Sequence, residues 1–139
     1  MSDVLYALAE LLRDGDDPIA SHVIDPAEAA TYGPLAASGP RAVAAPEEYA
    51  LVVEAVREGY LLHYGQSRLL ADPDPDLALL AGDYLYALGI ERLARLGDPV
   101  AVRELGELIS DCAQLHVEGR EAEAPGRWQA AARAIGGVK

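Results

Sequence analysis

The segment from Asp76 to Leu96 restricts the fold of this chain more than any other part of it. Its residues are apolar on nearly every side of a helix, and it contains no proline. A helix of this kind is typical of the middle of a bundle, where neighbouring helices cover several of its sides. The pattern therefore predicts an all-α fold, a compact antiparallel helical bundle in which the central helix, 76–96, is largely buried.

Residues that favour helix boundaries stand at both ends of this segment. Asp74 is a predicted cap with Pro75 as the first helical residue, and Gly97 favours the left-handed conformation that ends a helix. The run 72–76 alternates aspartate and proline. Since proline lacks the amide donor that a helix interior needs, this run predicts a stiff acidic linker.

Apolar residues spaced three and four apart predict further helices on both sides of the central one. Turns rich in Gly, Pro and Asp separate them, and a short helix is expected to start after Asp25 and to end near Gly33. Ala, Gly and Pro dominate 33–46, which we interpret as a loop, and 136–139 is predicted to be a frayed tail. The chain is thus one helical domain, 1–139. Further helices are predicted at about 4–12, 46–64, 100–118 and 126–135, of which the first and the last are short.

The helix predicted from Pro46 has an apolar side and a charged side. Glu54, Arg57 and Glu58 fall on the charged side, and we place them in solvent. The inner side is predicted to consist of Tyr49, Val52, Val53, Val56, Tyr60 and His63.

The charge balance of the chain excludes several classes of partner. Its 23 acidic and 11 basic side chains give a formal net charge of −12. Nucleic acids and anionic membrane surfaces require positive protein surfaces, so we expect neither as a partner. Charges interrupt the apolar runs, and the first residues lack the order of a signal peptide, so we predict no membrane span and a cytoplasmic location.

No catalytic, cofactor or metal site is predicted from the sequence. Cys112 and His116 are one helical turn apart, but two ligands do not define a metal site and the core pattern explains both residues. A single cysteine excludes multi-cysteine centres, and the Glu-x-x-His element of a di-iron bundle does not occur. We therefore do not expect catalysis by this chain on its own.

Eight residues are candidates for an interface or an apolar pocket. A buried carboxylate must be paired or hydrogen-bonded, so we favour a structural tie for Asp83, with a direct functional role or greater exposure as alternatives. His63 has a tyrosine on either side and is interpreted as a core or interface residue. Glycines in the central helix are expected to allow close approach of a neighbour. The candidates are Tyr60, His63, Tyr64, Gly82, Asp83, Tyr84, Tyr86 and Gly89.

Part of the central helix resembles a known family. Residues 79–94 read LLAGDYLYALGIERLA, which is similar to the leucine-alanine-glycine-aspartate helix of trans-polyprenyl diphosphate synthases. The small, non-catalytic subunit of two-component heptaprenyl diphosphate synthases is more similar still, because a Gly-Asp-Tyr run opens the same helix there. Leu61-Leu62-His63 precedes this helix and 100–118 follows it in the expected order. The resemblance covers about 54–119 and implies a fragment of an isoprenoid-synthase-like fold.

The resemblance also implies an accessory role. Catalytic members of the family hold magnesium with aspartate-rich motifs, and Tyr64-Gly65 stands where such a member would carry paired aspartates. The run 72–76 is no substitute, because its prolines prevent presentation on one helix face. We therefore expect an accessory subunit that acts through a catalytic prenyltransferase-like partner. The alternatives are a structural or regulatory subunit of another assembly, a homodimer, and an enzyme or carrier with a small apolar ligand inside the bundle.

Overall fold

A computed structural model of the chain describes residues 3–138. Within that range the structure is helical, with single 3-10 turns at Ala20–His22, Pro40–Ala42 and Glu121–Glu123 and one isolated antiparallel bridge between Val23 and Leu70. The prediction of an all-α bundle is confirmed. The α-helices are α1 (Asp3–Arg13), α2 (Tyr32–Ala37), α3 (Pro46–Tyr64), α4 (Pro75–Arg95), α5 (Pro99–Val117) and α6 (Ala124–Ile135).

The central helix of the bundle is α3, and not α4. Twelve of the 19 residues of α3 are buried, whereas α4 buries six of its 21. The prediction that 76–96 is largely buried is therefore wrong. Helix α4 lies along one side of α3, and its other side faces solvent although it is rich in apolar residues. Apolar residues on all sides of a helix show only that neighbouring helices could cover every side. In the described residues, other helices cover the inner side of α4 and leave its outer side exposed.

Two apolar clusters share α3 between them. One cluster joins α3 to α5 and α6 and includes the buried ring of Trp128. The other cluster joins α3 to α1 and α4 and includes Leu69 and Leu70, which follow α3 in the chain. Because side chains on opposite faces of α3 belong to different clusters, almost the whole helix is removed from solvent.

Helices α4 and α5 begin at the residues that the sequence indicates. Asp74 accepts a hydrogen bond from the N–H of Leu77 at 2.8 Å, so the acidic linker predicted at 72–76 ends at this cap. Asp98 accepts from the N–H of Ala101 at 3.0 Å and from the hydroxyl of Tyr49 at 2.7 Å. Burial by itself raises the pKa of Asp98, but these hydrogen bonds and the nearby guanidinium of Arg41 together outweigh it, and the net shift is downward. Burial and the same Asp98 contact raise the pKa of Tyr49 to about 12.

The prediction of a loop at 33–46 is wrong for the first half of this segment. Helix α2 occupies most of that half, and the short helix expected after Asp25 does not form. The N–H groups of Tyr32 and Gly33 donate to Oε2 of Glu54 at 3.1 and 2.7 Å. A carboxylate from α3 thus satisfies the first turn of α2, whereas the side chain of Thr31, the N-cap residue, makes no capping hydrogen bond.

The described part of the predicted frayed tail is held in place, so that prediction is also wrong there. The carbonyl of Gly136 accepts a hydrogen bond from the N–H of Arg41 at 2.8 Å, and the N–H of Val138 donates to the carbonyl of Arg133 at 2.8 Å. A Cβ atom on Gly136 would collide with the backbone of α2. Lys139 lies outside the described residues. Among residues 3–138, no helix combines the length and the apolar character needed to cross a membrane.

Candidate functional site

Glycines form the contact between α3 and α4. A Cβ atom on Gly59 would lie 2.9 Å from the carbonyl oxygen of Gly82 and 2.7 Å from the ring of Tyr86. A Cβ atom on Gly89 would lie 2.6 Å from Cγ2 of Val56. Carbon atoms in proteins keep about 3.5–4 Å from one another at optimal contact. The two helices therefore approach more closely than a side chain at these positions would permit.

His63 lies at the edge of the contact between α3 and α4. Its Nε2 is 3.2 Å from Oδ1 of Asp83 and 3.4 Å from the carbonyl oxygen of Leu79, and its ring meets the ring of Tyr86 edge-on at 5.1 Å. The side chain of Asp83 is 66% exposed. The expectation of a buried, tied carboxylate is therefore wrong, and the alternative of greater exposure describes this residue.

We expect Asp83→Ala to change the free energy of unfolding by less than about 1 kcal/mol, because an ion pair open to solvent contributes little. Urea unfolding of the wild type and the variant at the same pH measures this difference. A loss of about 3 kcal/mol or more, which is typical of an unpaired buried partner, would contradict it.

Tyr60 and Tyr64 contact α5. The hydroxyl of Tyr60 and Nε2 of His116 are 2.8 Å apart, and the ring of Tyr64 stacks on the ring of His116 with centroids 4.1 Å apart. Cys112, one turn earlier in α5, is buried, and this burial raises the pKa of its thiol. The hydrogen bond and the ring stacking thus explain Tyr60, Tyr64 and His116 as residues that join α3 to α5. In the part of the chain that the structure describes, no three His, Cys, Asp or Glu residues are grouped so as to hold a metal ion.

The outer face of α4 is the main exposed apolar surface of this region. Leu79, Leu80 and Tyr84 are 57%, 54% and 45% exposed. Leu80 and Tyr84 also line a cavity of about 260 Å³ together with Leu12 of α1 and Ile19. We call the surface formed by Leu79, Leu80, Tyr84 and Ile19 the α4 face; Leu12 is buried beneath it.

Carboxylates surround the α4 face. Asp16 and Asp17 line its cavity, and Asp76 and Asp83 are exposed on α4 itself. An apolar patch with a polar rim is the composition that marks interaction surfaces of proteins.

The structure separates the eight predicted residues into three places. Tyr60 and Tyr64 lie at the contact with α5, and Tyr84 alone belongs to the α4 face. The other five lie within the contact between α3 and α4 or at its edge: His63, Gly82, Asp83, Tyr86 and Gly89.

Sequence reasoning missed a buried ionic cluster on α3. Glu54 and Glu58, which were expected in solvent, are fully buried. Arg68 lies between them and donates from Nη1 to Glu54 at 2.8 Å and from Nε to Glu58 at 2.9 Å. Glu58 also accepts from the N–H of Leu69 at 3.2 Å and from the hydroxyl of Ser67. Burial alone would lower the pKa of Arg68, but the two carboxylates outweigh burial and the net shift is upward.

The only local signal for this cluster is the four-residue spacing of Glu54 and Glu58, which puts both on one side of α3. That signal does not reveal that residues 66–70 turn back over the same side of the helix. The described residues thus offer an exposed apolar face with an acidic rim and a buried ionic cluster. Compared with family models, with curated proteins and with solved structures, the chain matches none.

Proposed function

We propose that this chain is a non-catalytic helical accessory subunit that binds a protein partner through the α4 face. The observation that carries this proposal is the exposure of Leu79, Leu80 and Tyr84 on a helix whose opposite side is fully packed. Exposed apolar patches of this kind occur where proteins meet, and tyrosine is among the residues that contribute most to binding. The 260 Å³ cavity adds a recess that an apolar side chain of the partner can fill.

The charges around the α4 face favour a different protein over a second copy of this chain. The rim consists of aspartates, and the chain as a whole carries a net charge of −12. Two copies that met through this face would bring like charges together, which costs free energy and slows association. The fitting partner presents apolar side chains flanked by lysine or arginine.

The resemblance to small subunits of two-component polyprenyl diphosphate synthases suggests which partner this is. In that form of the proposal, a catalytic prenyltransferase-like subunit supplies the metal-binding carboxylates and the diphosphate site. This chain supplies a packed scaffold and the α4 face. His63 and Asp83 stand next to that face and are available to the partner.

The test is to recover the partner from extracts of the native cells with the full chain as bait, and then to measure affinity and prenyl chain elongation with purified proteins. Elongation that requires both chains supports the prenyltransferase form of the proposal. Recovery of an unrelated assembly overturns that form, and elongation by this chain alone overturns the accessory role.

Leu80→Glu is expected to weaken partner binding at least tenfold, because it places a charge at the apolar centre of the α4 face. Leu80 is already half exposed, so the melting temperature is expected to stay close to that of the wild type. Val117→Glu is the matched control, because Val117 in the last turn of α5 is 82% exposed and receives the same charge. Equal loss of binding in both variants, or no loss in Leu80→Glu, would exclude the α4 face as the binding surface.

A further inference from the structure

A cavity of about 510 Å³ lies between residues 24–32, α3 and residues 66–68. Two arginines, Arg57 and Arg68, line it together with the ring of Tyr32. This volume is within the range of small-molecule sites in proteins. The accessory role proposed above makes no use of this cavity.

Arg57 brings a positive charge to the cavity, and no carboxylate in residues 3–138 pairs with it. The central carbon of its guanidinium lies 5.0 Å from the ring centre of Tyr32, 5.2 Å from that of Tyr60 and 5.1 Å from that of Trp128. The guanidinium carries five N–H donors. No hydrogen bond within residues 3–138 uses them, so they are available to an acceptor in the cavity that Arg57 lines.

Arg68 forms part of the wall of the same cavity but offers no donor to it. Its side chain is 7% exposed, and two of its nitrogens bond to the buried glutamates of α3. The third nitrogen, Nη2, is buried and has no hydrogen-bond partner among the described residues. Because Nη2 has almost no accessible surface, an acceptor in the cavity cannot approach it to hydrogen-bond distance.

The charges at the cavity allow at most a single negative charge on a ligand. The two glutamates outnumber Arg68, so that cluster carries one net negative charge and Arg57 is the cation available to a ligand. Asp25 and Glu28 also line the cavity and would repel a doubly charged phosphate. A carboxylate carries one charge, and its planar shape matches the guanidinium group.

The apolar part of the lining indicates the rest of the ligand. Ile24 and Leu61 line the cavity, and the ring of Tyr32 offers a flat surface. We propose that this cavity binds a small organic carboxylate with an apolar body, whose carboxylate accepts hydrogen bonds from the guanidinium of Arg57.

Phenylacetate is a suitable probe, with phenylacetamide as its neutral counterpart and inorganic phosphate as a second anion. Calorimetry measures binding to the full chain. Tryptophan emission provides a second readout, because Trp128 is the single tryptophan of the chain and lies against the Arg57 guanidinium. We expect saturable binding of phenylacetate, and at least tenfold weaker binding of phenylacetamide and of phosphate.

Arg57→Gln is expected to weaken phenylacetate binding at least tenfold, while Arg103→Gln, on the exposed side of α5, leaves it unchanged. Equal affinity for phenylacetate and phenylacetamide overturns the proposal without the use of any variant. Absence of saturable phenylacetate binding at millimolar concentrations, tighter binding of phosphate, or an unaffected Arg57→Gln also overturns it. The isolated chain is sufficient for these measurements, so their outcome is independent of the proposed protein partner.

Discussion

Replacing Arg68 with leucine is expected to lower the free energy of unfolding by about 3–5 kcal/mol, which is the usual cost of removing one partner from a buried ionic group. Arg68 is the only side chain whose charge lies between Glu54 and Glu58 within residues 3–138, and both glutamates are fully buried. In the variant, two carboxylates remain in a medium that stabilises charge poorly. We attribute the loss to this uncompensated charge, because leucine keeps part of the packing that the aliphatic stem of Arg68 provides.

A rescue variant separates the charge effect from the change in shape. Adding Glu54→Gln and Glu58→Gln to Arg68→Leu removes the buried charges but keeps an oxygen acceptor for the N–H groups of Gly33 and Leu69. We expect this triple variant to be more stable than Arg68→Leu alone. Arg103→Leu, on the exposed side of α5, is the control and should change stability by about 0.5 kcal/mol or less. Urea unfolding measures all three. A loss below about 1 kcal/mol for Arg68→Leu would contradict the expected cost.

Gly59→Ala is expected to destabilise the fold by about 1–3 kcal/mol, which is typical of adding a methyl group to a packed interior. The added Cβ atom would lie 2.9 Å from the backbone oxygen of Gly82, so α4 must move away from α3. Alanine is the better helix former by up to about 1 kcal/mol, and this gain opposes the effect. We expect the steric cost to exceed this gain, because the added Cβ atom would meet the backbone of Gly82 and not only the end of a flexible side chain.

Gly106→Ala is the matched control for this substitution. Gly106 also lies inside an α-helix, and a Cβ atom there would have no neighbour within 4 Å. We expect it to stabilise the chain by about 0.5–1 kcal/mol through helix propensity alone. Opposite signs for the two variants in urea unfolding identify the helix contact as the cause. A stabilised Gly59→Ala would show that α3 and α4 have room between them.

Local signals predicted the ends of the long helices because those ends are made by nearby residues. Asp74 and Asp98 bond to N–H groups three residues further along the chain, and Gly97 has the positive φ of 74° that glycine favours. Such interactions depend on neighbours in sequence and are therefore visible without a structure.

The burial of individual residues could not be predicted, because it depends on segments that are distant in sequence. Glu54 is charged and buried, since Arg68 and the first turn of α2 surround it. Leu80 is apolar and exposed, since the described chain has no further helix to cover it. A helical pattern indicates which residues share a face, but it does not say which face another element will cover. For this reason, neither the cavity beside Arg57 nor the α4 face could be predicted from the sequence.

The position of α3 between two apolar clusters has a consequence for how the molecule comes apart. Val56 belongs to one cluster and Ala55 to the other, and both residues are part of α3. If α3 unfolded together with one cluster, the other cluster would lose the α3 side chains that it packs against. We therefore expect neither half to persist alone as a folded intermediate. The chain is expected to unfold as a single cooperative unit, so that a destabilising substitution in α3 affects both clusters.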